Sequence, residues 1–450
     1  MKRRMLIWGL LICLLAASFS PVAAVEVDLE QDYLVLFKTS EVCEETVQSL
    51  EDMGAEILME VPQIGLINVR STDPRFIEKA QDFKTIEIAV EDIDIRAPEV
   101  AMEADQTFRS VEPREGEDVA ADLYEQYQWD IKRVNNDGKA WDINSGDHSV
   151  VVGVIDTGVD VFHPDLKDNI VSAQAFFPGA TEEDALRDSG THGTHVAGSI
   201  AANGRVLGVG PDLGIAVYRT TNHQGRFHWA GVLSAITTAA DDGVFAVNLS
   251  LGTYSIINNE QQRALHQTST RAVQYAQRKG MIVVGANGNN AMDLGKKMYT
   301  VPGEGKQYPG PLFDTFTSIP WVISVSSTTN RDTLSYFSNY GRSNVDLGAP
   351  GGDLGPYWPN PEADQSLRDL EARCYSTIPV ARGSYGWAMG TSMAAPKVAA
   401  AAALVKAEYP EMSAVRVKNL LAQTADSVDK NGASHEFGSG ILNVYNALTR

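Results

Sequence analysis

The chain has 450 residues, 44% of them hydrophobic, with 38 glycines and a formal net charge of −21. That length and apolar content can bury a large core, which excludes a repeat, low-complexity or disordered protein. The charge is uneven, with 8 basic against 27 acidic side chains in residues 26–128 and 26 against 31 in residues 129–450, so acidity belongs to the N-terminal part and nucleic acid is excluded as a partner.

Lys2, Arg3 and Arg4, the apolar run Met5 to Ala17 and the small residues Val22-Ala23-Ala24 read as a secretory signal over residues 1–24, cut after Ala24. No later run is long and apolar enough for a membrane span, so a secreted, extracellular product with no membrane contact after signal cleavage is expected. Cys13 follows Ile12, a poor match to a lipid-attachment site. Cys43 and Cys374 alone remain beyond the signal, too few for a disulfide framework, and read as small apolar side chains.

Residues 25–96 form the next unit. Strands are expected at Tyr33–Phe37, Glu56–Val61, Leu66–Val69 and Thr85–Val90, with helices at Glu41–Met53 and from Asp73 to Asp82. The order β-α-β-β-α-β is ferredoxin-like, and about 70 residues is marginal for an independent core, so a partner surface is expected. Residues 97–127 are acidic, broken by Pro98, Pro113 and Gly116, and read as an exposed linker.

Residues 128–450 alternate apolar strands (Ser149–Ile155, Gly214–Arg219, Val244–Leu249, Met281–Ala286, Trp321–Ser326) with helices (Gly193–Ala202, His228–Asp242, Thr268–Lys279). That pattern predicts an α/β domain, a mainly parallel sheet with helices on both faces, whose ligands gather at the carboxyl ends of the strands. Asp156 stands at such an end, in Val154-Ile155-Asp156-Thr157-Gly158. His192 opens a helix in Ser189-Gly190-Thr191-His192-Gly193. Ser392 sits in the small-residue turn Gly390-Thr391-Ser392-Met393-Ala394-Ala395-Pro396, which opens another. A serine hydroxyl needs a base and an orienting group before it attacks a carbonyl, and Asp156, His192 and Ser392 can supply the three parts. His195 and His163 read as structural, because no cluster completes a metal site with Asp188.

These motifs, in the order Asp, His, Ser, resemble the subtilisin-like serine proteases over roughly residues 128–447. The resemblance implies a protease that needs no cofactor for its chemistry and acts as a monomer on a peptide or protein bound as an extended strand. It also makes residues 25–96 a propeptide, an inhibitor and folding aid released by a cut within 97–127. Val283-Val284-Gly285-Ala286-Asn287-Gly288-Asn289 resembles the strand and turn that supply an oxyanion amide, which puts Asn289 in that role with Gly288 beside the substrate. Asn248-Leu249-Ser250-Leu251-Gly252 matches the edge that pairs with substrate, with Ser250, Leu251 and Gly252 lining the cleft. Asp165 matches the acidic ligand of a structural calcium site, although the loop for the other ligands is shortened to Ala202–Val206. Gln307 falls at the base of the first specificity pocket, and the stretch from Asp353 through Gly383 reads as an extra surface loop. Asn339-Tyr340-Gly341, Asp346–Asp353 and Tyr385–Met389 resemble the branch of lantibiotic leader peptidases, which makes a dedicated leader peptidase the alternative to a general one. A catalytically silent peptide-binding homologue would have little reason to keep Asp156, His192, Asn289 and Ser392 together, and no Gly-x-Ser-x-Gly elbow supports an esterase.

Overall fold

The computed structural model describes residues 30–96, 103–104, 121–252, 254–255, 260–296, 298–300, 307–309, 313–356, 367–428 and 434–450. The signal over residues 1–24 and most of the 97–127 linker lie outside the described residues, as does the side chain of Gln307.

The N-terminal unit contains β1 (Gln31–Phe37), α1 (Glu44–Asp52), β2 (Glu56–Val61), β3 (Leu66–Ser71), α2 (Phe76–Gln81) and β4 (Ile86–Glu91). Its antiparallel sheet has the order β2-β3-β1-β4. Central β1 is apolar at every position from Tyr33 to Phe37 because both its faces are covered. Tyr33, Val35 and Phe37 meet Leu50, Phe76 and Ala80 of α1 and α2, while Leu34 and Leu36 point the other way with Val61, Ile64, Leu66 and Val90.

After this unit come β5 (Asp94–Arg96), β6 (Glu103–Ala104), α3 (Asp122–Tyr127) and α4 (Trp129–Asn135). The large body continues through β7 (Val151–Asp156), β8 (Ile170–Ala175), α5 (Glu182–Ala185), α6 (His192–Ala201), β9 (Gly214–Arg219), β10 (Arg226–His228), α7 (Trp229–Asp241), β11 (Ala246–Leu249), β12 (Tyr254–Ser255) and α8 (Glu260–Arg278). It closes with β13 (Ile282–Ala286), β14 (Met298–Thr300), β15 (Gln307–Pro309), β16 (Phe313–Asp314), β17 (Ile323–Thr328), β18 (Leu347–Pro350), β19 (Cys374–Thr377), β20 (Tyr385–Ala388), α9 (Thr391–Glu408), α10 (Ala414–Thr424) and α11 (Val444–Leu448).

The main sheet has seven strands in the order β18-β17-β13-β11-β7-β9-β8, every neighbouring pair parallel. Helices α6 and α9 pack on one face and α7 and α8 on the other. The chain leaves β7 towards β9 on one side and returns to β11 on the other, so a crevice opens at the carboxyl end of β7.

The surface on which the N-terminal sheet leans is α7 and α8. Leu34, Leu36, Ile64 and Val90 share one buried cluster with Trp229, Leu233, Ile236 and Val273. The Arg271 guanidinium of α8 donates to the Phe37 carbonyl at 2.7 Å and the Ile64 carbonyl at 3.1 Å, and pairs with Glu87. Beyond this contact, β5 pairs antiparallel with edge strand β10, and β6 pairs antiparallel with β20, which runs into the Gly390–Ser392 turn.

Two expectations are corrected here. Residues 121–127 are not the tail of an exposed linker but α3, with Leu123 and Tyr124 in the core of the large body. Arg205 explains the misleading acidity, since its guanidinium holds the Asp122 carboxylate through bonds of 2.9 and 2.6 Å. Within the stretch Asp353–Gly383, Cys374–Thr377 is not a surface loop but the buried strand β19, whose Ser376 and Thr377 hydroxyls donate to the carbonyls of His195 and Thr194 in α6.

Candidate active site

Asp156 ends β7, the strand beside the crevice, and is fully buried. The next turn needs glycine at Gly158, whose φ is +101°, and at Gly193, where a Cβ would lie 2.0 Å from the Gly158 carbonyl oxygen. That close approach sets the first turn of α6 directly against Asp156. His192, at the start of α6, donates from Nδ1 to the Asp156 carboxylate at 2.8 Å (Oδ1) and 3.0 Å (Oδ2). The backbone N–H of Thr157 donates to the same carboxylate at 2.7 Å, so the buried charge is doubly held. His192 Nε2 makes no hydrogen bond within the described residues. Burial opposes charge on the imidazole, but the Asp156 carboxylate outweighs it and raises the pKa of His192 above the ordinary histidine value.

Behind this pair lies a second carboxylate that the sequence did not single out for a role. Asp188 accepts from the Thr157 hydroxyl at 2.6 Å, the Thr194 hydroxyl at 2.6 Å and the Gly190 and Thr194 amides at 2.8 and 2.9 Å. Burial raises its pKa, and its field adds to the positive shift of His192. Its four donors tie the turn after β7 to the start of α6.

Ser392 occupies the first turn of α9, one residue after its start. Its hydroxyl donates to the Ser250 carbonyl at 3.4 Å, a long bond, and the Ser250 hydroxyl donates back to the Ser392 carbonyl at 2.9 Å. Ser250 in turn accepts from the Asn248 amide at 2.8 Å. Ser250, the residue after β11, therefore braces the Ser392 turn. Asp156, His192 and Ser392 are 0%, 5% and 3% exposed, which is the water-poor setting that strengthens such electrostatics.

Three asparagines follow β13, and the structure separates them. Asn287 is buried, accepting from the Thr317 hydroxyl at 3.1 Å. The Asn290 amide donates to Asn339 Oδ1 at 3.0 Å. Asn289 is the one facing the Ser392 turn, because its Oδ1 accepts from the Thr391 N–H at 2.9 Å and the Thr391 hydroxyl at 3.0 Å. Fixing Oδ1 in this way presents Nδ2 to the Gly390 side of the turn, 3.4 Å from where a Cβ on Gly390 would lie. The Thr391 hydroxyl also accepts from the Gly288 N–H at 3.0 Å.

Sequence reasoning had no signal for the buried ion pair beneath the site. Lys397 Nζ, five positions after Ser392, lies 2.7 Å from Asp130 of α4 and donates to the Met393 carbonyl at 2.9 Å, with both charged side chains essentially unexposed. Burial and the Lys397 charge hold the neighbouring His195 neutral, with a pKa lowered to about 3. Asp165 faces donors, accepting from the Tyr385 hydroxyl at 3.1 Å and the Val206 N–H at 3.0 Å. Calcium needs six to eight oxygen acceptors, so these residues do not fit that ion. Among the described residues no group of three His, Cys, Asp or Glu side chains could hold a metal, and no helix is long and apolar enough to cross a membrane.

Residues 147–440 match the profile of the subtilase family. The chain is 30% identical over 354 residues to the epidermin leader peptide-processing serine protease of Staphylococcus epidermidis, covering 73% of this chain and 75% of that one. It is also 30% identical to the nisin leader peptide-processing serine protease of Lactococcus lactis over 72% of its own length but 48% of the relative, so it spans about half of that protein. The crystal structure of the epidermin leader peptide-processing protease from Staphylococcus aureus superposes with a TM-score of 0.76 at 25% identity, covering 93% of this chain and 98% of that one.

Proposed function

The chain belongs to the subtilase family and is a subtilisin-like serine protease, and we propose that it is a secreted, self-processing endopeptidase working through Asp156, His192, Ser392 and Asn289. The observation that carries this reading is the pair of 2.8 and 3.0 Å bonds from His192 Nδ1 to Asp156, which fixes the tautomer and leaves Nε2 to act as base. Ser392 Oγ turns from its long bond to Ser250, gives its proton to Nε2 and attacks the peptide carbonyl. Asn289 Nδ2 and the Ser392 backbone N–H donate to the oxygen as it becomes negative. The imidazolium, stabilised by Asp156, then protonates the departing amine, and water repeats the sequence in reverse to free the enzyme.

Residues 25–96 serve as the propeptide and residues 97–120 hold its processing site, since α3 is built into the peptidase body. The propeptide's docking on α7 and α8, with β5 on β10 and β6 on β20, supports the view that it covers the cleft until released. Signal cleavage after Ala24 delivers a monomer to the exterior, with no membrane or nucleic acid partner. Calcium is not needed for the chemistry.

A dedicated leader peptidase for a lanthionine peptide precursor is the second reading, favoured by the two leader peptide-processing relatives and by the structural match over 98% of the Staphylococcus aureus epidermin leader peptide-processing protease. One assay decides both. The protein is incubated with casein and with a lanthionine precursor bearing its leader, with and without a serine-directed fluorophosphonate. Hydrolysis of either substrate that the reagent abolishes, with Ser392 carrying the label, supports the endopeptidase. Cleavage of the precursor at one site with casein left intact selects the leader peptidase. Hydrolysis of neither, with Ser392 unlabelled, refutes both.

A further inference from the structure

The turn Ile319-Pro320-Trp321-Val322 is closed by the Val322 N–H, which donates to the Ile319 carbonyl at 3.3 Å, and Trp321 has a φ of +79°. Proline in second place and a positive φ in third mark a type II turn, whose third position suits glycine or asparagine. A bulky side chain strains the backbone there, and folding alone gives no reason for an indole that stays 46% exposed. The indole lines a groove of about 460 Å³ together with Arg342, Ser343 and Asn344. Trp321 and Arg342 precede β17 and β18, so they stand at the end of the parallel sheet opposite the carboxyl end where Asp156 lies.

The groups around this groove are unevenly committed. The Asp346 carboxylate accepts from the Ser324 N–H at 2.9 Å and pairs with Lys418 at 3.3 Å, and Lys418 also donates to the Val322 carbonyl at 2.9 Å. Those two charges therefore cancel. The N–H groups of Val322, Asn344 and Asp346 are bonded to the carbonyls of Ile319, Gly341 and Ser324, and the outer edge of β18 is occupied by bridges from Leu347 to Gly438 and from Gly348 to Ile441. An extended peptide finds no free strand edge to join. The side chains of Trp321, Arg342, Ser343 and Asn344, by contrast, make no hydrogen bond, ion pair or ring contact among the described residues. We propose that the groove binds an acidic saccharide, a ligand unrelated to the bond that the protease cuts. The indole face stacks on the C–H face of a sugar ring, the Arg342 guanidinium pairs with a carboxylate on that ring, and Ser343 and Asn344 take its hydroxyls. One free positive charge with no free negative one selects an acidic sugar over a neutral one, and the volume is that of a small-ligand site.

The test is calorimetric titration of the full chain, carrying Ser392→Ala to prevent any self-cutting, with tetragalacturonate, the neutral cellotetraose and tetraglutamate. We expect saturable binding of tetragalacturonate at one site, at least about tenfold tighter than either of the others, the scale of one charge-assisted contact. Trp321→Gly, which suits the turn, keeps the thermal unfolding midpoint but loses at least about tenfold in affinity. Arg342→Gln loses the preference for tetragalacturonate over cellotetraose. Absence of saturable tetragalacturonate binding, or unchanged affinity in both variants, overturns the proposal. Tetraglutamate bound as tightly as tetragalacturonate overturns it by making the groove a surface for acidic peptides. A lowered midpoint in Trp321→Gly with unchanged affinity assigns the indole to packing and overturns it as well. If Trp321→Gly does not accumulate folded, Arg342→Gln, at an exposed position, decides alone.

Discussion

At the scale of single residues, the proposed mechanism separates the tasks of base, nucleophile and oxyanion donor, and each makes a distinct prediction. His192 must be neutral to accept the Ser392 proton, and its pKa is raised because Asp156 outweighs burial. The acid limb of kcat/KM against pH therefore falls above the ordinary histidine value of about 6.5. Asp156→Asn removes the raising partner, moves that limb to lower pH and lowers kcat about 10⁴-fold through the wrong tautomer. A pH profile of the two proteins on one peptide checks both effects. Asn289→Leu removes one oxyanion donor and should lower kcat about 10²–10³-fold, the size found for such a donor in the subtilisins themselves, with KM little changed. Asn287→Leu gives a useful contrast, because Asn287 is buried and bonded to the Thr317 hydroxyl and the Asn339 carbonyl, so its loss is expected to act on thermal stability instead.

At the scale of elements, the site is held by contacts between helices and strands distant in sequence. Lys397 on α9 and Asp130 on α4 form a buried pair at 2.7 Å directly below the Ser392 turn. Lys397→Met leaves Asp130 buried and uncompensated and should cost about 3–5 kcal/mol in a chemical-denaturation measurement. Adding Asp130→Leu to that variant removes the stranded charge and recovers most of the loss. Such pairs were not legible in the sequence, because nothing local marks which lysine meets which aspartate. The strands that carry β-branched runs, β7, β9, β11 and β13, were legible to within two or three residues. Two further strands were not. Ile170–Ala175 is a half-exposed edge with serine and glutamine in it, and Leu347–Pro350 is four residues long. Helix α8 begins eight residues before the expected Thr268 because its first two turns, Glu260–Gln267, are mostly polar, with Glu260 and Gln267 bonded to Gln81 and Glu87 of the N-terminal unit. Asp156, His192 and Ser392 stood out in the sequence because each sits beside glycine in a turn at a strand end or helix start, and the structure joins His192 to Asp156. Thr391 and Asp188, which fix Asn289 and the start of α6, gave no signal of their own.

At the scale of the whole molecule, the chain is two bodies that share one apolar interface. The N-terminal sheet buries Leu34, Leu36, Ile64 and Val90 against α7 and α8, so under the proposed propeptide reading its fold and its inhibition are expected to be coupled. Arg271 is the polar centre of that interface, and Arg271→Ala should weaken retention of the cut propeptide about tenfold, shortening the lag between cleavage and full activity in a progress curve. The measurement that tests the central claim most directly is intact mass and N-terminal sequence for residues 25–450 expressed as wild type and as Ser392→Ala. The account predicts a wild-type protein that begins between Ala97 and Asp122 and a Ser392→Ala protein that stays whole. Both chains remaining whole, or both being cut at the same bond, would contradict self-processing by Ser392.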